Sequence, residues 1–289
     1  MSLLHILILA IVQGLSELLP VSSSAHVVVI EKLFGLDVSS PPMTLLLVML
    51  HTGTMFAVIV YFWRQWRDIY FQSIASFKKF AGFVVLATAL TGLIGEALIK
   101  VIEKTFFRHF PLAQIEDLFS HLELVAPALA LVGILILVAG IVEKRKSAVG
   151  LTKTTDLSAR EAGIVGAVQG LCLPFRGFSR SGATISAGML LGVAKSRAEM
   201  FSFALAVVLT PVVVVRELMR VVHDQHTNGT AAFAAAAFPS LLGAVFAFLA
   251  GLIALKWLSR WLEVGRWYLF GIYCLIAAVG VGYLHHLGY

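Results

Sequence analysis

Residues 12–26 read VQGLSELLPVSSSAH, and residues 168–184 read VQGLCLPFRGFSRSGAT. Each stretch leaves an apolar run, meets a proline, and passes through serines and other small polar residues into a second apolar run. Proline removes a backbone donor and clashes with the preceding helical turn, whereas serine caps a new helix. Each region, residues 1–34 and 160–194, therefore predicts two half-length helices joined by a polar turn. A helix of about 12 residues is too short to cross a hydrocarbon core of about 30 Å. Each pair is expected to dip into a bilayer and return to the side it came from.

The bilayer follows from the rest of the chain. Its 289 residues are 59% hydrophobic and 13% charged, with a mean hydropathy of +0.92, too apolar to cover a water-facing surface. The same figures exclude a disordered chain and a coiled coil. The two cysteines, Cys172 and Cys274, lie inside apolar runs and exclude a disulfide scaffold. Uninterrupted apolar stretches run over 43–63, 81–102, 124–142, 201–215, 238–257 and 267–284, and are read as six spanning helices. The fold class is an all-α polytopic membrane protein: six spans plus two re-entrant helical hairpins in a single membrane domain.

The net charge of +6 belongs to short loops between spans and is not a nucleic-acid footprint. One side gathers Arg64, Arg67, Lys78, Lys79, Lys144, Arg145, Lys146, Lys153, Arg160, Lys195, Arg197, Lys256, Arg260 and Arg266; the other holds Lys32, Lys100, Lys104, Arg108, Arg216 and Arg220. The richer side is assigned to the cytoplasm. Both chain ends then face outward, the first hairpin enters from outside and the second from inside. The apolar start has no basic leader region and runs directly into the first broken motif, so a cleaved signal peptide is not expected. VQGL at 12–15 recurs at 168–171, and Ser22, Ser24 and Ala25 align through one gap with Ser179, Ser181 and Gly182. Residues 1–143 and 160–289 are thus expected to be repeats of inverted topology, with their two turns facing each other around a cavity.

Gln13 and Glu17 share a helix face leading into the first turn. An ionisable group at that depth has a partner or a cavity; the plain alternative is a structural ion pair with Arg180. Ser22, Ser23, Ser24 and His26 follow, more polar groups than helix capping requires. In the second turn Arg176 and Arg180 stand among Gly177, Ser179, Ser181, Gly182 and Thr184. Guanidinium forks, hydroxyls and backbone N–H groups match phosphate oxygens. Within a membrane this points to an anion with a greasy tail and to cleavage of a phosphate ester or anhydride. Glu17 would act as acid/base or hold a divalent cation, Arg180 would stabilise charge, and Ser23 or His26 would attack or activate the attacker. His51, Thr52 and Thr54 have two equal readings, pocket lining or a small-residue packing patch. Glu96 and Lys100 read as a local pair; His223, His226, His285 and His286 read as solvated.

In QGLSELLPVSSSAH and GFSRSGATIS, with LHTGTMFAV between them, the chain resembles the bacterial undecaprenyl-diphosphate phosphatase family, integral membrane enzymes associated with bacitracin resistance. The resemblance covers essentially the whole chain. It implies hydrolysis of the C55 isoprenoid diphosphate to its monophosphate and phosphate, recycling the lipid carrier of cell-wall synthesis in the bacterial inner membrane. It also implies an outward-facing site and support by Mg²⁺ or Ca²⁺, either on Glu17 or carried by the substrate. The family's first motif falls on Gln13, Glu17, Ser23 and His26, with the remaining turn residues lining the substrate site; its second motif places its arginine at Arg180. Four departures stand out: Gln13 is neutral where many members have a second Glu, Arg176 replaces a proline, Ala25 replaces a glycine, and the acid near AEMFSF is displaced to Glu199.

Two other functions compete. A transporter or flippase of a polyprenyl phosphate would also use inverted repeats with broken helices. The phosphohistidine lipid phosphatases need an Arg-Pro pair and a histidine six residues after the Arg of a Ser-Arg pair; no Arg precedes a Pro here, and that position is Ser186. The oligomeric state is left open by the sequence.

Overall fold

A computed structural model describes residues 2–36, 40–106, 122–148, 156–228 and 230–288. Arg108 and Lys153 lie outside the described residues, as do the side chains of Arg220, His223 and His226. The described residues form ten helices and no strand: α1 Leu3–Leu18, α2 Ser23–Leu33, α3 Pro41–Tyr70, α4 Ile74–Phe106, α5 Leu122–Ala148, α6 Ala159–Cys172, α7 Arg180–Leu190, α8 Lys195–Asn228, α9 Thr230–Glu263 and α10 Tyr268–His286.

The six long helices α3, α4, α5, α8, α9 and α10 are long and apolar enough to cross a membrane. They extend beyond the apolar windows read from sequence because helical hydrogen bonding continues into polar ends such as Arg64–Tyr70. The other four have 16, 11, 14 and 11 residues. At about 1.5 Å per residue none of them reaches about 30 Å. Their boundaries have local causes. Pro20 follows the end of α1, the Ser22 hydroxyl accepts from the Ala25 N–H at the start of α2 (3.4 Å), and the Ser179 hydroxyl accepts from the Gly182 N–H at the start of α7 (3.2 Å). Ser158 and Glu161 form a capping box on α6.

Two of the short helices pack mainly across the halves of the chain, α1 along α9 and α6 along α4. The repeated VQGL explains both contacts. A Cβ on Gly14 would stand 2.6 Å from the Ala247 oxygen, and one on Gly170 would stand 2.8 Å from the Thr91 oxygen. Small residues let membrane helices approach this closely. We expect Gly14→Val and Gly170→Val each to lower stability by about 1–3 kcal/mol through overpacking. The check is thermal unfolding in detergent beside Gly82→Ala, whose Cβ meets nothing within 4 Å; equal midpoints for all three would sink this account.

The basic helix ends collect at one end of the bundle. Lys195 Nζ lies 3.6 Å from Glu143 Oε1 and 3.5 Å from the Glu263 carbonyl, Lys144 sits over the Tyr268 ring, and Arg197 meets Asp156 and the Tyr70 ring. At the other end, His285 pairs with Glu123 at 3.4 Å, a partner the sequence reading did not anticipate for that histidine. The expected Glu96–Lys100 pair is present at 2.8 Å.

Candidate active site between the two turns

Glu17 stands at the end of α1, and its carboxylate is the point where the two turns meet. Oε1 accepts from Arg180 Nη2, the first residue of α7, at 2.9 Å. Oε2 accepts from the Ser23 hydroxyl at 2.5 Å and from Gln13 Nε2, one turn back along α1, at 3.2 Å. The side chains of Glu17 and Arg180 retain 14% and 27% exposure, so the pair is recessed yet reachable. Gln13 Nε2 also lies 3.0 Å from His51 Nδ1. An amide N–H donates there, so that ring nitrogen accepts. His51 is 41% exposed and lies 3.8 Å from Glu17 Oε2, beside the acid. Thr52 and Thr54 instead donate to the carbonyls of Val48 and His51 in their own helix.

The three serines of the first turn divide the work. Ser22 is the cap, and it is the only non-glycine residue with positive φ (68°) among those described. Ser24 Oγ accepts the Gly177 N–H at 3.2 Å, joining the first turn to the second. Ser23 faces Glu17. His26, three residues beyond Ser23, has both ring nitrogens engaged: Nδ1 with the Ser22 carbonyl at 2.8 Å and Nε2 with the Tyr273 hydroxyl of α10 at 2.7 Å. Tyr273 escaped sequence reading because it lies in a span with no motif around it.

The second turn is less open than its residue types suggested. Ser179, Ser181 and Thr184 are 4%, 5% and 0% exposed. Thr184 donates to the Arg180 carbonyl and meets Ser202 of α8 at 2.6 Å, while Gly182 lies against Ile136. Glu31 of α2 is buried, and Arg176 lies within electrostatic reach of it. Glu31 lies seven residues after Ser24 on the same helix face, the one signal that would have pointed to it. The second glutamine of the repeat, Gln169, serves packing and donates to Thr91 of α4 at 3.1 Å.

Gly177 presses on Val125 near the start of α5, and Gly182 on Ile136 near its middle. Arg180 thus sits between mid-bundle and the end away from the basic cluster. Glu17 is the sole carboxylate bonded to Ser23 and Arg180, and no group of three or more His, Cys, Asp or Glu suited to a metal occurs among the described residues. One carboxylate with hydroxyls fits a hard cation that brings further oxygen ligands on a phosphate.

Six long apolar helices around a recessed acid–serine–arginine cluster define a polytopic membrane protein with an embedded polar site. The family model described as Bacitracin resistance protein BacA matches residues 6–280, and the chain belongs to that family. It is 58% identical over 278 residues to "Undecaprenyl-diphosphatase 2" of Acinetobacter baylyi, covering 95% of each chain. It is 32% identical over 292 residues to "Undecaprenyl-diphosphatase 2" of Burkholderia ambifaria, covering 96% of this chain and 95% of that one.

Proposed function

We propose that this chain hydrolyses undecaprenyl diphosphate to undecaprenyl phosphate and inorganic phosphate, returning the lipid carrier to bacterial cell-wall synthesis and supporting bacitracin resistance. The similarity to named undecaprenyl-diphosphatases supports the substrate. The observation that carries the chemistry is the Ser23 hydroxyl donating to Glu17, whose other oxygen is held by Arg180.

In this reading Ser23 Oγ attacks the terminal phosphorus while its proton passes to Glu17. The bond from that phosphorus to the bridging oxygen breaks, and the proton leaves with the departing monophosphate. Glu17 then takes a proton from the water that attacks the phosphorus on Ser23 and returns it to Ser23 Oγ as the bond from phosphorus to Oγ breaks, which frees phosphate and restores both groups. Arg180 stabilises the charge developing on the phosphoryl oxygens. His26, with both nitrogens engaged, supports the turn and leaves the attack to Ser23. Gln13 and His51 orient the carboxylate and line the pocket; Ser22, Ser24, Arg176, Ser179, Ser181, Gly182 and Thr184 shape the two turns against the headgroup. Mg²⁺ or Ca²⁺ would be borne by the diphosphate, with Glu17 the carboxylate able to help hold it, and would supply neutralisation of phosphate charge.

We place the protein in the bacterial inner membrane as two inverted repeats, 1–143 and 160–289, each a re-entrant hairpin followed by three spans. The exchange of α1 onto α9 and α6 onto α4 supports this. The position of Arg180 toward the end with fewer basic residues supports a site opening to the periplasm.

The test is phosphate release from the C55 diphosphate by purified protein in detergent. We expect chelation to lower release, Mg²⁺ or Ca²⁺ to restore it, and Arg180→Ala to cost about 10²–10³-fold in kcat. A wild type that binds the lipid without releasing phosphate would overturn the phosphatase reading in favour of a polyprenyl-phosphate flippase.

A further inference from the structure

The two short helices that follow the turns are held very differently. Residues Ser181–Met189 of α7 are all buried, and α7 packs against α5, α6 and α8. On α2 only Ala25, Val27, Val28 and Glu31 are buried, and its extended packing among the described helices is against α1. Ser23 therefore rides on an element less deeply packed than its counterpart in the second turn.

The contact reaching furthest along the chain comes from α10. Tyr273 brings its hydroxyl to 2.7 Å from His26 Nε2, with the two rings stacked at 5.7 Å and 10°. The neighbouring Cys274 lies 3.4 Å from the Pro20 carbonyl, anchoring the same stretch of α10 on the first turn. Opposite Tyr273, His26 Nδ1 faces the Ser22 carbonyl at 2.8 Å. A carbonyl can only accept, so Nδ1 carries the hydrogen, and in the neutral ring Nε2 accepts from the tyrosine O–H. The carbonyl so held belongs to the residue with φ of 68°. Such backbone persists only where its surroundings over-determine it.

We propose that Tyr273 is a positioning residue for Ser23. Resting on the phosphatase reading above, its hydroxyl donates to His26 Nε2 and holds the ring in place, His26 Nδ1–H holds the Ser22 carbonyl, and the strained Ser22 backbone aims the next residue's hydroxyl at Glu17. Tyr273 acts through these groups and touches no reacting atom.

The experiment uses full-length Tyr273→Phe, which keeps the ring and removes the hydroxyl, together with His26→Asn, which keeps a donor for Ser22 and removes the acceptor. Phosphate release from the C55 diphosphate should show kcat lowered about tenfold in Tyr273→Phe with KM within about twofold, and no further loss when the change is made in His26→Asn. ¹⁵N-histidine spectra in detergent, assigned by difference from His26→Asn, should show His26 Nδ1 protonated in both proteins, with Nε2 a hydrogen-bonded acceptor in the wild type and shifted toward a free one in Tyr273→Phe. An unchanged kcat, a raised KM at constant kcat, additive losses, or an unaltered Nε2 resonance would each overturn the proposal. A wild type without phosphatase activity would remove the phosphatase reading alone, and the spectra would still decide whether Tyr273 holds His26 through Nε2.

Discussion

Ser23→Ala is expected to lower phosphate release from the C55 diphosphate by at least about a thousandfold, the scale seen when a nucleophile is removed from a site whose other groups remain. The side chain is small and only partly buried, so the fold should survive and KM should hold. Ser22→Ala and Ser24→Ala are the informative neighbours, because both hydroxyls are committed to backbone N–H groups. Losing a cap costs about 1 kcal/mol of stability, and their activity should fall far less. Mass spectrometry of acid-quenched wild type during turnover should find phosphate on residue 23. If Ser23→Ala kept a tenth of wild-type activity, water would be the attacking group.

Glu17→Gln carries the second large effect, about 10²–10⁴-fold in kcat, the usual contribution of a positioned general base. Gln preserves the shape and can still accept from Ser23, but it cannot take the serine's proton. This separates catalysis from the plain alternative, in which Glu17 and Arg180 only staple the halves together. A buried ion pair contributes little net stability, yet breaking one partner away costs several kcal/mol. A purely structural Glu17 would show its loss in the unfolding midpoint, with kcat per folded molecule unchanged. Because Ser23 and Glu17 act as one unit, the double variant should be no slower than Ser23→Ala alone. A further large drop would show that the two serve separate steps.

Much of this was legible in the chain because its causes are local. Six apolar runs announced six long helices, and the proline followed by serine placed both turns within a residue or two. Gln13 and Glu17 share a face at i, i+4, which their hydrogen bond reflects. A charged pair at membrane depth needs a partner, and the Glu17–Arg180 contact across 163 positions satisfies that need. The repeated VQGL was equally visible, although its two copies proved to share only the glycine's role in close packing. Gln13 points at the acid, whereas Gln169 points at Thr91.

The remainder was decided by tertiary structure. Three adjacent serines are equivalent on paper. The positive φ at Ser22 makes one a cap, the approach of Gly177 occupies another, and only Ser23 is left facing Glu17. His51 and Tyr273 lie in spans whose composition is indistinguishable from packing, and they enter the account because α3 and α10 pass beside α1 and α2. The sequence by itself determined the membrane, the breaks and the chemical types in each turn, since hydropathy and capping act over a few residues. Which of those groups meet depended on helices packed across the two halves, and contact between residues 247 positions apart is set by shape and close approach that no local pattern encodes.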